Sequence, residues 1–291
     1  MNVVVFGASG TIGRPLLAEL ERAHDVVAVS RSQRRDVGKV TWKTADATDR
    51  HSVSSVLEGT DVVYYLVHSL GSPDFEEQDL KAAETTAREA ERAGVKQLVY
   101  LGGLGDDSPD LSAHLRSRRE TEKRLAATSV PVTTLRAAMV IARGSAAFET
   151  IVALVDRLPA MMTPRWVSTP TQPVALTDVV GYLAGVCGLE PAYGATYDVG
   201  GPEVMTYREM IERIARLRGK HPFIFEVPVL TPYLSSLWLH LVTPVKAGVA
   251  RPLIEGLRTE TVVREDRIRQ LLPIELTPFD AAAREALDQR V

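Results

Sequence analysis

The sequence predicts an α/β fold, a doubly wound parallel sheet that carries a smaller C-terminal α+β cap. Three observations predict it. Short β-branched runs alternate with helical stretches through the first half of the chain. The first run leads straight into glycines spaced G-x-x-G-x-x-G and then into a helix start. Past about residue 145 the alternation loosens and proline becomes frequent.

The elements follow in order. Residues 3–6 read as a strand, and Gly7-Ala-Ser-Gly-Thr-Ile-Gly13 as a tight turn into a helix over 15–23. Pro15 suits that helix's first turn, where a missing N–H costs nothing. Further strands fall at 26–30, 62–66, 97–101 and 132–135, with a short one at 40–42 leading into 45–49. Helices fit between them near 53–57, 76–93 and 112–128. Beyond residue 145, helices are expected at 146–158 and 178–189, and a strand at 196–199 ending on Gly200-Gly201. Thr206-Tyr-Arg-Glu209 matches a capping box and opens a helix through Leu217. A strand is expected at 223–227, and then 233–241 and 245–257 alternate helix with proline breaks. Two regions follow. Residues 1–145 form a nucleotide-binding Rossmann domain, and 146–291 a smaller substrate or cap region partly interleaved with its sheet.

The first strand, turn and helix are built to hold a dinucleotide pyrophosphate. Gly7 can take the φ > 0 turn, Gly10 lets backbone N–H groups approach phosphate, and Gly13 lets helix and strand pack closely. Ser9, Thr11 and Ile12 complete the loop, and the helix N-terminus presents free N–H donors to the anion.

Composition bounds the remaining classes. The 291 residues are 45% hydrophobic and 24% charged, ordinary for a globular protein, and the net charge of −3 gives no field that favours nucleic acid. A single cysteine, Cys187, excludes an internal disulfide and a cysteine-based metal cluster; it reads as a small apolar residue of its helix. The six histidines show no metal spacing, and no G-x-S-x-G elbow is present, so no metal is expected. With the first strand beginning at Asn2, no signal peptide is expected. The one long stretch without Asp, Glu, Lys or Arg, 227–245, is broken by Pro228, Pro232, Pro244 and His240 and makes a poor membrane span. The expectation is a soluble cytoplasmic protein, with contact at a membrane surface left open.

The second strand decides the nucleotide. An NAD site commonly ends this strand with an acid that accepts from the ribose hydroxyls. Here it ends Val29-Ser30-Arg31, followed by Arg34 and Arg35, and the nearby Asp25 stands at the wrong end. A hydroxyl with a guanidinium suits a 2′-phosphate, so NADP(H) is expected over NAD(H); an ordinary solvated basic loop is the alternative. Asp46, followed by Ala47, could accept from the adenine amino group or cap a helix. Leu66-Val67-His68 and Leu101-Gly102-Gly103 end the fourth and fifth strands and should line the cofactor channel, His68 either touching the ligand or capping its strand.

These motifs resemble the short-chain dehydrogenase/reductase family, and within it the atypical NAD(P)-binding branch that includes NmrA-like regulators and the nucleotide-binding accessory subunit of respiratory complex I. The residues that carry the likeness are Gly7 to Gly13, Ala45-Asp46, and Leu98-Val-Tyr-Leu-Gly-Gly-Leu-Gly105. Gln172-Pro-Val-Ala-Leu-Thr-Asp-Val179 and Tyr197-Asp-Val-Gly-Gly-Pro-Glu203 extend it to about residue 210. The stretch 227–263 is similar to bacterial members of the NAD(P)H-binding, sugar-nucleotide-epimerase-like kind. The resemblance implies a Ser after the fifth strand and a Tyr-x-x-x-Lys on the next helix, the Tyr passing a proton to or from substrate. This chain departs there. The strand ends in Gly102-Gly103, and the helix from Ser112 to Lys123 has no tyrosine. Alignment puts His114 at the Tyr position and Arg118 at the Lys position, on one helix face. An imidazolium at His114 could protonate an oxygen as hydride arrives, with Arg118 favouring the neutral ring and binding ribose or phosphate. The alternative is an exposed basic face, Arg116 to Arg119, with His114 as its ordinary neighbour.

A substrate pocket is expected between the strand ends and the cap, with Met139, Phe148, Met161, Met162, Trp166, Tyr233 and Trp238 as lining or core. Their apolar character suits a small or lipophilic ligand such as a quinone, isoprenoid or lipid-like ketone. Two functions remain open: a reductase with a degenerate Ser-Tyr-Lys site, and a non-catalytic NADPH-binding sensor or assembly protein. An epimerase is disfavoured by the missing tyrosine.

Overall fold

A computed structural model describes residues 1–68, 75–105, 111–163, 165–226 and 256–288. The first half alternates strand and helix as β1 (Asn2–Phe6), α1 (Gly13–Leu20), β2 (Asp25–Ser30), β3 (Val40–Thr44), α2 (Arg50–Leu57), β4 (Val62–Tyr65), α3 (Phe75–Arg92), β5 (Gln97–Gly103), α4 (Ala113–Leu125) and β6 (Val132–Ala137). The second half adds β7 (Val140–Ile141), α5 (Ala146–Arg157), β8 (Ala160–Thr163), β9 (Pro170–Thr171), β10 (Val174–Ala175) and α6 (Leu176–Gly185). It continues with β11 (Thr196–Val199), β12 (Met205–Thr206), α7 (Tyr207–Leu217), β13 (Phe223–Glu226), α8 (Arg267–Leu271) and α9 (Phe279–Asp288).

One seven-stranded sheet organises the molecule in the order β11-β6-β5-β4-β1-β2-β3, every pair parallel. Strands covered on both faces read as continuous apolar runs, and β4 (Val-Val-Tyr-Tyr) is buried throughout. Its two tyrosines alternate faces and each finds an acceptor. Tyr64 donates to the Leu183 carbonyl at 2.7 Å, and Tyr65 to the Asp79 carbonyl at 3.4 Å. Helices α2, α3 and α4 cover one face, where Ala82, Ala83, Ala87 and Ala90 bring α3 close to the strands. Helices α1 and α6 cover the other with Leu16, Leu20, Val179 and Leu183. The chain leaves β1 toward β2 on one side and returns to β4 on the other. A crevice opens at the carboxyl ends of the strands where that order reverses, and ligands of open α/β sheets bind there.

Residues 196–199 extend the sheet of the first half, Thr196 pairing with Thr134 and Val199 with Ala137. The rest of the second half packs its own cluster around Phe148, Ile151, Met161, Met210 and Phe279. The capping box of α7 is formed, with Glu209 N donating to Thr206 Oγ1 at 3.2 Å and Thr206 N to Glu209 Oε2 at 2.6 Å. Arg213 clamps this cap to α9 through Asp280 (2.7 Å) and to Glu203 (2.5 Å).

Several expectations change. The α2 helix is capped by Asp49, whose Oδ1 accepts from Ser52 N at 2.7 Å, so Asp46 is not the cap. Helix α6 ends at Gly185 because Gly188, at φ +67°, turns the chain. Of the residues read as pocket lining or core, Phe148 and Met161 are each 1% exposed and belong to the core, the second of those readings, with Met139 packed against the same cluster. The side chains of Met162 and Trp166, the expected helix at 233–241 with Tyr233 and Trp238, and all but the last two residues of the one expected at 245–257 lie outside the described residues. Among the described residues no helix is long and apolar enough to cross a membrane, and no group of three His, Cys, Asp or Glu side chains is placed to hold a metal ion.

Candidate functional site

A cleft of about 710 Å³ opens beyond the carboxyl ends of β1, β2, β3 and β4. Of the sequence-predicted residues it brings together Gly7, Ser9, Gly10, Ser30, Arg31, Asp46, Ala47, Leu66 and His68. Gly7 sits at φ +79°, and a Cβ there would lie 2.6 Å from the Leu66 carbonyl oxygen. A Cβ on Gly13 would lie 2.5 Å from the Gly7 carbonyl oxygen, so α1 starts hard against the loop. Gly10 is exposed above them and donates its N–H to Gly7 O at 3.0 Å. Helix α1 begins with no side-chain cap and no acid in its first turn. That leaves an N-terminus electrostatically suited to an anion, and the glycine-walled loop fits a pyrophosphate.

The adenosine end is polar and positive. Arg31 is exposed at the rim, Ser30 donates Oγ–H to Ser32 O at 2.5 Å, and Arg34 lies over the Trp42 ring with 5.3 Å to the centroid. Asp46 is exposed, its Oδ1 accepting from both N and Oγ1 of Thr48 at 2.8 Å. Val67, expected beside Leu66 and His68, lines the cleft too, whereas the sequence reading missed Thr48 and the α3 residues Glu77, Gln78 and Lys81. The last three share the first turns of α3, and only its buried alanine face signalled which way that helix is turned.

Other predicted residues lie outside this lining. Thr11 approaches Gly144, Ile12 is the N-cap position of α1 and packs on the core, and Gly13 is buried beneath the loop. Gly102 does not open toward the cleft: its Cβ direction points at the Tyr100 ring, 3.3 Å away, and at Thr134 and Arg136.

His114 and Arg118 also lie outside this lining. Arg116 is exposed, but the alternative of an exposed basic face does not extend to Arg118 and Arg119. Arg118 donates to the Leu101 carbonyl oxygen and lies over the Tyr100 ring at 5.1 Å. Arg119 donates to the carbonyl oxygens of Gly103 and Gly105. Both guanidiniums cap the frayed end of β5, where carbonyls lack strand partners. Arg118 thus straps β5 through one of its donors.

His114 packs beside His68, ring centroids 5.1 Å apart and tilted 42°. Its Nδ1 is buried and has no hydrogen-bond partner among the described residues. Burial, then His68 and Arg118, holds its pKa down to about 3. The ring is neutral at working pH, which corrects the expected imidazolium acid. A neutral imidazole retains one N–H and can still polarise an oxygen.

The same shift has a stability signature. Below pH 6.5 the unfolded chain binds a proton that folded His114 refuses. Its contribution is therefore lost as pH falls from 6.5 toward 3, at about 1.4 kcal/mol per pH unit at most. Burial lowers His68 as well and acts in the same direction. His114→Gln should flatten the decline of denaturation midpoint between pH 6.5 and 4.5; a slope equal to wild type would contradict this assignment.

Comparison with known proteins agrees with the cleft. A family model described as NAD(P)H-binding matches residues 7–159. The chain is 28% identical over 235 residues to the (4-alkanoyl-5-oxo-2,5-dihydrofuran-3-yl)methyl phosphate reductase of Streptomyces griseus, covering 77% of this chain and 76% of that protein. It is 25% identical over 287 residues to the mitochondrial NADH dehydrogenase (ubiquinone) 1 alpha subcomplex subunit 9 of Arabidopsis thaliana, covering 91% of this chain and 71% of that one. Among solved structures, the NADPH-dependent quinone oxidoreductase of Escherichia coli complexed with NADPH superposes with a TM-score of 0.79 at 19% identity, over 99% of this chain and 100% of that one. This last likeness is one of fold.

Proposed function

This chain belongs to the NAD(P)H-binding family, and from that premise we propose that it is an NADPH-dependent reductase of a small, lipophilic carbonyl or quinone-like compound. The observation that carries the reading is the continuity of the cleft. Its glycine loop, the Ser30-Arg31 rim and His68 line one cavity, and the His114 ring, outside that lining, packs 5.1 Å from the His68 ring.

Each residue then has a task. Amides of the Gly7–Gly13 loop and the α1 N-terminus hold the pyrophosphate. Ser30 and Arg31 hold the 2′-phosphate, and Asp46 faces the adenine. NADPH supplies hydride chemistry when bound. Neutral His114 offers its N–H to the substrate oxygen and so stabilises the charge that grows there. The reductase among its relatives and the quinone oxidoreductase of the same fold support a small-molecule carbonyl substrate.

Arg31 tests the nucleotide choice. Calorimetric titration should show NADPH binding tighter than NADH, and Arg31→Ala should weaken NADPH about 10- to 100-fold with little change for NADH, the worth of charge-assisted bonds to a phosphate. Tighter binding of NADH by wild type would overturn it.

A second reading, an NADPH-binding sensor or assembly subunit without turnover, is favoured by Gly102-Gly103 where a serine is expected and by the absence of tyrosine from α4. The complex I subunit among the relatives belongs to a multiprotein assembly by its name. Bound NADPH that no acceptor consumes would favour that reading.

A further inference from the structure

Helix α3 buries an alanine face against the sheet, and one acid sits on that face. Asp79 is 2% exposed, in line with Ala83, Thr86 and Ala90. An alanine there would suit the helix better and avoid the cost of burying a charge. The carboxylate meets His68, whose Nδ1 lies 2.7 Å from Asp79 Oδ2. A carboxylate only accepts, so the hydrogen is on Nδ1. The backbone behind it is pinned as well, because Tyr65 donates to the Asp79 carbonyl. His68 lines the nucleotide cleft, its ring packs 5.1 Å from that of His114, and His114 Nδ1 is one of the buried polar atoms without a hydrogen-bond partner among the described residues.

We propose that Asp79 is a positioning residue of this site: it holds His68 as the Nδ1–H tautomer, and the fixed His68 ring sets where His114 offers Nδ1 to the oxygen of a carbonyl substrate. The inference rests on the reductase reading of the same cleft. It adds a residue that does not touch the ligand and acts through two rings in series. Both imidazoles are disfavoured as cations by burial, so what Asp79 controls is tautomer and orientation. An ion pair that merely ties α3 to β4 would leave the chemistry indifferent to which nitrogen carries hydrogen.

The test separates these. Imidazole ¹⁵N spectra of the wild-type chain should show His68 protonated on Nδ1. In Asp79→Asn the amide can donate to Nδ1, and the spectrum should move to the Nε2–H form. With that variant, kcat for carbonyl reduction should fall about 100-fold while the NADPH Kd stays within about threefold, the size of effect expected when an acid behind a working histidine is neutralised. His68→Asn added to Asp79→Asn should cost little more, since the two act as one unit.

An Nε2–H tautomer in wild type overturns the assignment, and so does an unchanged kcat in Asp79→Asn with the tautomer switched. Should Asp79→Asn fail to fold, the wild-type spectrum still decides. Should the wild-type chain bind NADPH but reduce no carbonyl, the reductase reading fails, while the tautomer continues to report on Asp79 by itself.

Discussion

Exchange of Gly7 for alanine is expected to weaken NADPH binding more than about 100-fold and to destabilise the fold by about 2–5 kcal/mol, the sum of a left-handed backbone penalty and an overpacking penalty. Two independent constraints meet at this position. The backbone stands at φ +79°, and a Cβ would press to 2.6 Å on a carbonyl of the neighbouring strand connection at Leu66. Neither can relax without moving the loop off the α1 N-terminus. Gly59, at φ +70° with nothing within 4 Å of its Cβ position, serves as the control. Gly59→Ala should show only the backbone penalty, about 1–2 kcal/mol, and unaltered NADPH binding. Equal nucleotide affinity in wild type and Gly7→Ala would remove the loop from the binding site.

His114→Ala carries the second large effect. It should lower turnover about 100- to 1,000-fold, the range seen for loss of one preorganised donor to a developing oxyanion, and spare the NADPH Kd. Because burial keeps His114 neutral down to about pH 3, wild-type kcat should not decline as pH rises through 6.5. An imidazolium acid would give that decline. A rate that tracks a group titrating near 6.5 would place the proton elsewhere, and unchanged turnover in His114→Ala would take this residue out of the mechanism.

The sheet and the glycine loop were legible because their signals are local. An apolar run followed by G-x-x-G-x-x-G fixes β1, the turn and α1 within a dozen residues, and Ser30-Arg31 is read directly off the end of β2. His68 and His114 were each singled out, but their contact with one another and with Asp79 was not legible, because the partners are far apart in sequence. Asp79 meets His68 from another element, and His114 arrives from α4. One signal was available: an acid on the 3.6-residue apolar stripe of α3 marks a buried charge that needs a partner. The run Arg116 to Arg119 misled for a related reason. Charge on a helix usually means solvent, but Arg118 and Arg119 turn inward to carbonyls at the end of β5 that the sheet leaves without strand partners. Asp46 and Asp49 stand three residues apart, and sequence could not say which one the start of α2 would choose.

The central claim, that this cleft binds NADPH in order to spend it, is tested most directly by one multiple-turnover experiment. The chain, first shown by calorimetry to bind NADPH, is mixed with excess NADPH and a panel of quinones and lipophilic ketones, and loss of the reduced nicotinamide absorbance is followed. The account predicts acceptor-dependent oxidation of many equivalents of NADPH per chain, abolished in Gly7→Ala and greatly slowed in His114→Ala. Tight NADPH binding with no oxidation beyond one equivalent across the panel would contradict it and leave a nucleotide-binding protein that keeps its ligand.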